Sequence, residues 1–164
     1  MTRVAAIEGW FTDNESAPEL LGTRGTESGS YFFPPTLAVS ANPNAPFETR
    51  EPVALSRTGT LWSYTTNHYA PPEPAVQTAP YTVCAVELNL EKIVILGPLA
   101  TGADATMLTI GMEMELVLGP LFTDDDGIEQ TMYQWSPLAA ADVHSHPSAS
   151  STAGASPAPI RSQA

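Results

Sequence analysis

A single cysteine, Cys84, is all the thiol chemistry that the 164 residues hold. One thiol excludes an intramolecular disulfide framework and any multi-thiolate zinc site within one chain. Cations are nearly as scarce: 6 Lys and Arg stand against 18 Asp and Glu, a formal charge of −12. Binders of a phosphate backbone cluster their cations, so this balance speaks against nucleic acid. From Arg57 to residue 138 the only basic residues are Arg57 and Lys92, and beyond that Asp142 and Arg161 cancel. Nothing approaches the run of about 18 apolar residues that a membrane helix needs. The densest stretch, 93–99, is strand-sized, and no basic amphipathic segment suits a membrane surface. Residues 1–9 lack the apolar run of a signal peptide. A cytoplasmic protein without membrane contact is the expectation, and the lone cysteine is in keeping with a reducing compartment. No Gly-x-Ser-x-Gly, P-loop or dinucleotide-binding glycine pattern occurs.

What the chain does have is apolar bulk. Hydrophobic residues make up 43% of it, enough for one buried core. Between residues 60 and 136 the pattern reads as five short strands with no helical periodicity between them. Residues 60–67 are rich in β-branched and aromatic side chains, with Leu61 and Ser63 on one face and Trp62 and Tyr64 on the other. A proline loop from His68 to Pro80, with Pro71, Pro72 and Pro74, leads to a second strand at 81–88. Residues 89–91 turn the chain into a third at 92–99. A fourth spans 112–118, where Met112, Met114 and Leu116 alternate with Glu113 and Glu115. The Asp124-Asp-Asp-Gly127 turn precedes the fifth, at 131–136. Five is the strand count of a small Greek-key barrel of the oligonucleotide/oligosaccharide-binding (OB) type.

The flanks differ. Ser16-Ala-Pro-Glu-Leu-Leu21 reads as a short helix, with Ser16 near its cap, Pro18 in its first turn and Gly22 as its stop. The turn-rich stretch after it lacks enough core to stand alone. From residue 139 onward the composition is almost entirely Ala, Ser, Pro, Thr and Gly, which predicts a disordered tail. The expected organisation is therefore 1–52, an N-terminal helix and arm; 53–138, a barrel; and 139–164, the tail.

The sites that carry chemistry elsewhere resolve to quiet readings here. His68 has no oriented partner or nucleophile in view, so it reads as structural or as an interface residue. Asp124, Asp125 and Asp126 lack the ligand alternation of a calcium loop. Asp142, His144 and His146 read as a surface cluster in the tail. Cys84, mid-strand between Val83 and Ala85, reads as a small buried hydrophobe. Tyr31-Phe-Phe-Pro-Pro35 divides between internal packing and a rigid aromatic docking surface.

Several of these segments, taken in order, resemble one family. Gly22-Thr-Arg-Gly-Thr-Glu-Ser-Gly29 followed by Tyr31-Phe-Phe-Pro-Pro35 resembles the zinc-ribbon arm of the acyl-CoA-associated OB-fold proteins (domain-of-unknown-function 35 type). In that family the arm reads Gly-x-Arg-Cys-x-x-Cys-Gly, then Phe-Pro-Pro, then a second cysteine pair. Residues 55–65, 80–88 and 110–117 are similar to its barrel strands, so the resemblance runs from Trp10 to Pro137. It departs at the metal. Gly25 and Ser28 stand where the first cysteine pair would be, and the second is missing near Ser40 and Pro43. Neither Gly nor Ser supplies a thiolate. The resemblance thus implies a mainly β protein: a five-stranded OB-fold barrel preceded by a short N-terminal helix and a degenerate, metal-free rubredoxin-like ribbon arm, held by Trp10, Tyr31, Phe32 and Phe33.

It also implies function. Such proteins are accessory subunits, without cofactor or catalytic residues of their own, that pair with thiolase-fold partners: thiolases, acyltransferases or steroid side-chain retro-aldolases. A hetero-oligomer in lipid or steroid degradation is the expectation, with any acyl-CoA contact shared with the partner. The contact candidates are Tyr31, Phe32, Phe33, Pro34, Pro35, Tyr64, His68 and Tyr69. Two rivals stand beside it, an OB-fold nucleic-acid binder and a stand-alone acyl-CoA thioesterase or hydrolase.

Overall fold

The computed structural model describes residues 3–37, 42–69 and 79–138. The tail at 139–164, Ser40, and Pro71, Pro72 and Pro74 of the proline loop lie outside the described residues. Among the described residues nine strands follow in chain order: β1 (Arg3–Ala5), β2 (Leu21–Gly25), β3 (Tyr31–Phe32), β4 (Arg50–Ala54), β5 (Thr58–Asn67), β6 (Tyr81–Leu88), β7 (Val94–Pro98), β8 (Glu113–Thr123) and β9 (Glu129–Pro137). The one helical element among the described residues is a 3₁₀ turn, Ala105–Met107.

Alternation drives the large sheet. On β8, Met114 and Leu116 are fully buried while Glu113 faces water, the pattern of a strand with one dry face. The β8–β9 hairpin closes on Asp124, whose carboxylate accepts the Asp126 N–H at 3.1 Å and the Ile128 N–H at 2.9 Å. Gly127, at φ 76°, supplies the left-handed residue there. Six strands pair in the order β1-β9-β8-β5-β6-β7, and a second sheet pairs β3-β2-β4. β1 lies parallel to β9; the neighbours β9-β8, β8-β5, β5-β6 and β6-β7 are antiparallel.

The five expected strands are all present, as β5 to β9, but the five-stranded closed barrel is not. The sheet takes a sixth strand, β1, and stays open between β7 and β9, which meet through one isolated parallel bridge, Leu99 to Trp135. Side chains fill the seam. A Cβ on Gly97 would lie 2.9 Å from both Trp135 Cδ1 and Tyr133 Cε2, so the rings come closer to β7 than any side chain there would allow. Inside the sheet sits a single cluster that includes Phe11, Leu20, Leu55, Leu61, Val86, Leu88, Met114, Tyr133 and Trp135. It draws from both sides of the 52/53 boundary.

The helix expected at 16–21 is also absent. The chain instead doubles back on itself: Phe11 and Leu20 form an antiparallel bridge. The Leu21 N–H donates to the Trp10 carbonyl at 2.8 Å, and the Thr12 N–H to that of Glu19 at 2.9 Å. Six residues are too few to repay helix nucleation, and the hairpin buries Leu20 and Phe11 against the sheet. Alternation fails once more on β5. A register shift between Leu61 and Ser63 inserts Trp62 as a bulge, and residues 62–65 are then all exposed.

Leu20 discriminates between the two conformations. In an isolated surface helix Leu20→Ala would cost little. In this hairpin it empties a fully buried site and is expected to lower unfolding free energy by about 2–5 kcal/mol in urea titration.

Candidate functional site

The arm residues reach the sheet through their rings. Phe33 meets Trp10 edge-on at 5.3 Å and Tyr133 edge-on at 6.0 Å. Phe32 is buried beneath the Arg50 guanidinium, 5.9 Å from its ring centre, and Tyr31 carries Arg24 over its ring at 5.6 Å. Pro34 and Pro35 are half-buried. Pro35 helps line a shallow apolar cleft with Leu21, Pro52 and Val53.

The remaining candidates stand elsewhere, along β5. Tyr64 is partly exposed, and its hydroxyl lies 3.5 Å from the Leu108 carbonyl. His68 is exposed and Tyr69 is 70% exposed. No ring contact among the described residues joins this group to the arm. The β5 group does have company that the sequence reading passed over. The segment after the 3₁₀ turn is tied to β5 by the Gly111 N–H donating to Leu61 O and the Leu61 N–H donating to Met112 O, at 2.8 and 2.9 Å. That brings Ile110, 63% exposed, to the segment paired with β5 next to Trp62, 64% exposed, while Met107, 69% exposed, ends the 3₁₀ turn. Trp62 was legible, since it alternates with buried Leu61. Met107 and Ile110 were not, because they sit in a connector without period.

An open groove of about 680 Å³ runs at the end of the sheet where β6 starts and β8 finishes, lined by Tyr81, Leu99, Thr101, Pro120, Phe122 and Gln134 among others. Among the described residues no charged side chain lines it. Its polar floor is already satisfied: Gln134 accepts the Thr101 N–H at 2.9 Å and donates to the Pro120 carbonyl at 3.3 Å.

Cys84 lies in the core between Tyr64 on β5 and Gly97 on β7, with no exposed surface. Burial pushes its thiol up to about 11, so at neutral pH it holds its proton and is a poor nucleophile. Among the described residues no group of three or more His, Cys, Asp or Glu is placed to hold a metal. The four-cysteine zinc site of the family pattern does not fit this arm. The knuckle at 25–28 offers a bare glycine and a hydroxyl in place of two thiolates, and the buried Glu48 carboxylate fills the space beside Gly25.

Strand order, the Asp124 hairpin and the β7–β9 seam together describe an open OB-type sheet, and comparison with known proteins agrees. Residues 52–119 match the family model of the ChsH2 C-terminal OB-fold domain. Among solved structures, a chain of the "Ltp2-ChsH2(DUF35) aldolase" is similar at 25% identity and a TM-score of 0.56, over 73% of this chain and 84% of that one. No curated protein matches significantly. Both matches support an OB-fold protein of the ChsH2 (DUF35) type, the family model over residues 52–119 and the solved structure over 73% of the chain.

Burial of two ionisable groups sets an alkaline limit on the fold. Tyr133, like Cys84, is raised by burial, to about 12. Both groups favour the folded chain while protonated, so their contribution is whole below the ordinary thiol value of 9.0 and drains as pH climbs through the raised values. Melting temperature is expected to hold level from pH 7 to 9 and then fall, with Cys84→Ala flattening the first part of that fall. A Cys84 that alkylates rapidly in the native protein at pH 7.5 would contradict its placement.

Proposed function

We propose that this chain is a non-catalytic OB-fold subunit that docks on and completes a thiolase-like or retro-aldolase partner acting on acyl-CoA substrates, with steroid or fatty-acyl side-chain breakdown as the setting. The observation that carries the reading is the match, over most of both chains, to a chain of an aldolase whose name pairs two components. Three features of the chain support it. The one thiol is sealed in the core and held protonated, so acyl-transfer chemistry belongs with the partner. The exposed strip of Trp62, Tyr64, Met107 and Ile110 has the aromatic and Met character of an interface core. Four of the five described cations, Arg3, Arg24, Arg50 and Lys92, are engaged within the chain by carboxylates, rings or a carbonyl. The charge of −12 therefore leaves the partner to supply the cations that a polyanionic CoA requires.

Affinity capture from the native cell, read by mass spectrometry, is expected to recover a thiolase-fold protein in stoichiometric amount. A monodisperse monomer that ignores every such protein would overturn the reading. With the partner in hand, Trp62→Ala is expected to weaken the complex by about 30-fold, the loss of one aromatic anchor, while leaving the melting temperature of the isolated chain in place. Turnover of an acyl-CoA by the isolated chain, abolished by His68→Ala, would instead establish a hydrolase.

A further inference from the structure

The disagreement between the arm and its implied metal has a positive content in Glu48. The turn after β2 is tight. The Gly29 N–H donates to the Gly25 carbonyl at 3.0 Å, the Gly25 N–H to the Ser30 carbonyl at 2.8 Å, and Gly29 takes φ 68°. This curls the amides of Glu27 and Ser28 inward, so that they converge on one point, an arrangement that binds anions. The point is held by the Glu48 carboxylate. Its Oε2 accepts the Ser28 N–H at 2.9 Å and the Glu27 N–H at 3.3 Å, and its Oε1 accepts the Ser28 hydroxyl at 2.7 Å. Glu48 is only 9% exposed, and an ionised group that far from water persists where charge-assisted bonds replace its hydration.

Gly25 completes the arrangement. A Cβ there would overlap the carboxylate carbon and both its oxygens. A cysteine at 25 would therefore require the Glu48 carboxylate to leave the position it holds. We propose that Glu48 is the arm's resident ligand: an internal carboxylate that binds the 25–29 knuckle and joins it to the segment leading into β4, in the role that a bound metal would otherwise fill. Two further bonds across the same junction, from the Thr26 N–H and hydroxyl to the Thr49 carbonyl at 2.9 and 3.0 Å, align knuckle and strand around it. The arm that presents Tyr31, Phe32 and Phe33 is thus ordered by a side chain of the same polypeptide, and its order is independent of metal supply.

Four full-length proteins test this: the native chain, Gly25→Ala, Glu48→Ala and the double variant, compared by thermal melting and amide hydrogen exchange. Gly25→Ala is expected to lower the melting temperature in the native background and to cost little or nothing once Glu48 is Ala, because the overlapping group is gone. Exchange at the Glu27 and Ser28 amides is expected to quicken about tenfold or more in Glu48→Ala, the loss of a buried hydrogen bond. Equal penalties for Gly25→Ala in both backgrounds would overturn the proposal. So would stoichiometric zinc in the native protein, or a melting temperature that falls with EDTA and is restored by zinc. Should Glu48→Ala yield no folded protein, Glu48→Gln carries the exchange measurement, and unchanged rates at Ser28 would overturn it equally.

Discussion

Tyr133 is the point on which the molecule turns. Its ring receives Phe11 edge-on at 5.9 Å and Phe33 edge-on at 6.0 Å, and its hydroxyl donates to the Leu96 carbonyl at 2.8 Å. One side chain on β9 thereby joins the N-terminal hairpin, the arm and strand β7. Edge-to-face pairs add to the burial of each ring, and the hydroxyl bond bridges a seam that backbone pairing leaves almost bare. Next to it, Trp135 is fully buried and shares that seam with Gly97 and Leu99. The seam of the open sheet is therefore filled by rings packed where a ladder would otherwise run, and the arm rests on Tyr133 through Phe33.

That dependence explains what could be read in the sequence. Strands β5 to β9 were legible because each buries one face of an alternating or β-branched run, and β6 falls at the expected 81–88. The other strands are short and owe their conformation to distant partners. β1 is ordered by parallel pairing with residues 129–131, a relation that no local pattern announces. Leu20 and Phe11 pair across a turn that looked like a helix start. Ser16 and Pro18 suit a first helical turn, but Ser16 bonds Asn14 and Pro18 is buried. Tertiary burial outweighed a weak local propensity.

The candidate site divides in the same way. The aromatics of Tyr31-Phe-Phe-Pro-Pro35 could be found by composition, yet composition cannot say which face each ring serves. Phe32 is buried, while Phe33 and Tyr31 keep part of their surface. Trp62 was visible as the outward neighbour of Leu61. The bulge that leaves Trp62, Ser63, Tyr64 and Thr65 all exposed was not, because a one-residue register shift depends on the partner strand and not on the run itself. Glu48 was silent for a related reason: in sequence it is one acid among 18. Its meaning comes from the turn 20 residues earlier whose amides it accepts.

Taken together, the arm and the bulge spend apolar surface in opposite ways. The arm reaches Tyr133 through Phe33 and is tied at its knuckle by the Glu48 carboxylate. The bulged part of β5 leaves Trp62 exposed, and the connector bonded to β5 leaves Met107 and Ile110 exposed as well. Exposed apolar side chains gathered on adjoining segments make sense when a second surface covers them. A preorganised aromatic arm lowers the ordering cost of such an association. The one thiol and the core aromatics are sealed, four of the cations are engaged internally, and the large side chains that β5 leaves exposed are the aromatics Trp62 and Tyr64. That division is what an accessory subunit requires, since its own stability must not compete with the surface it offers.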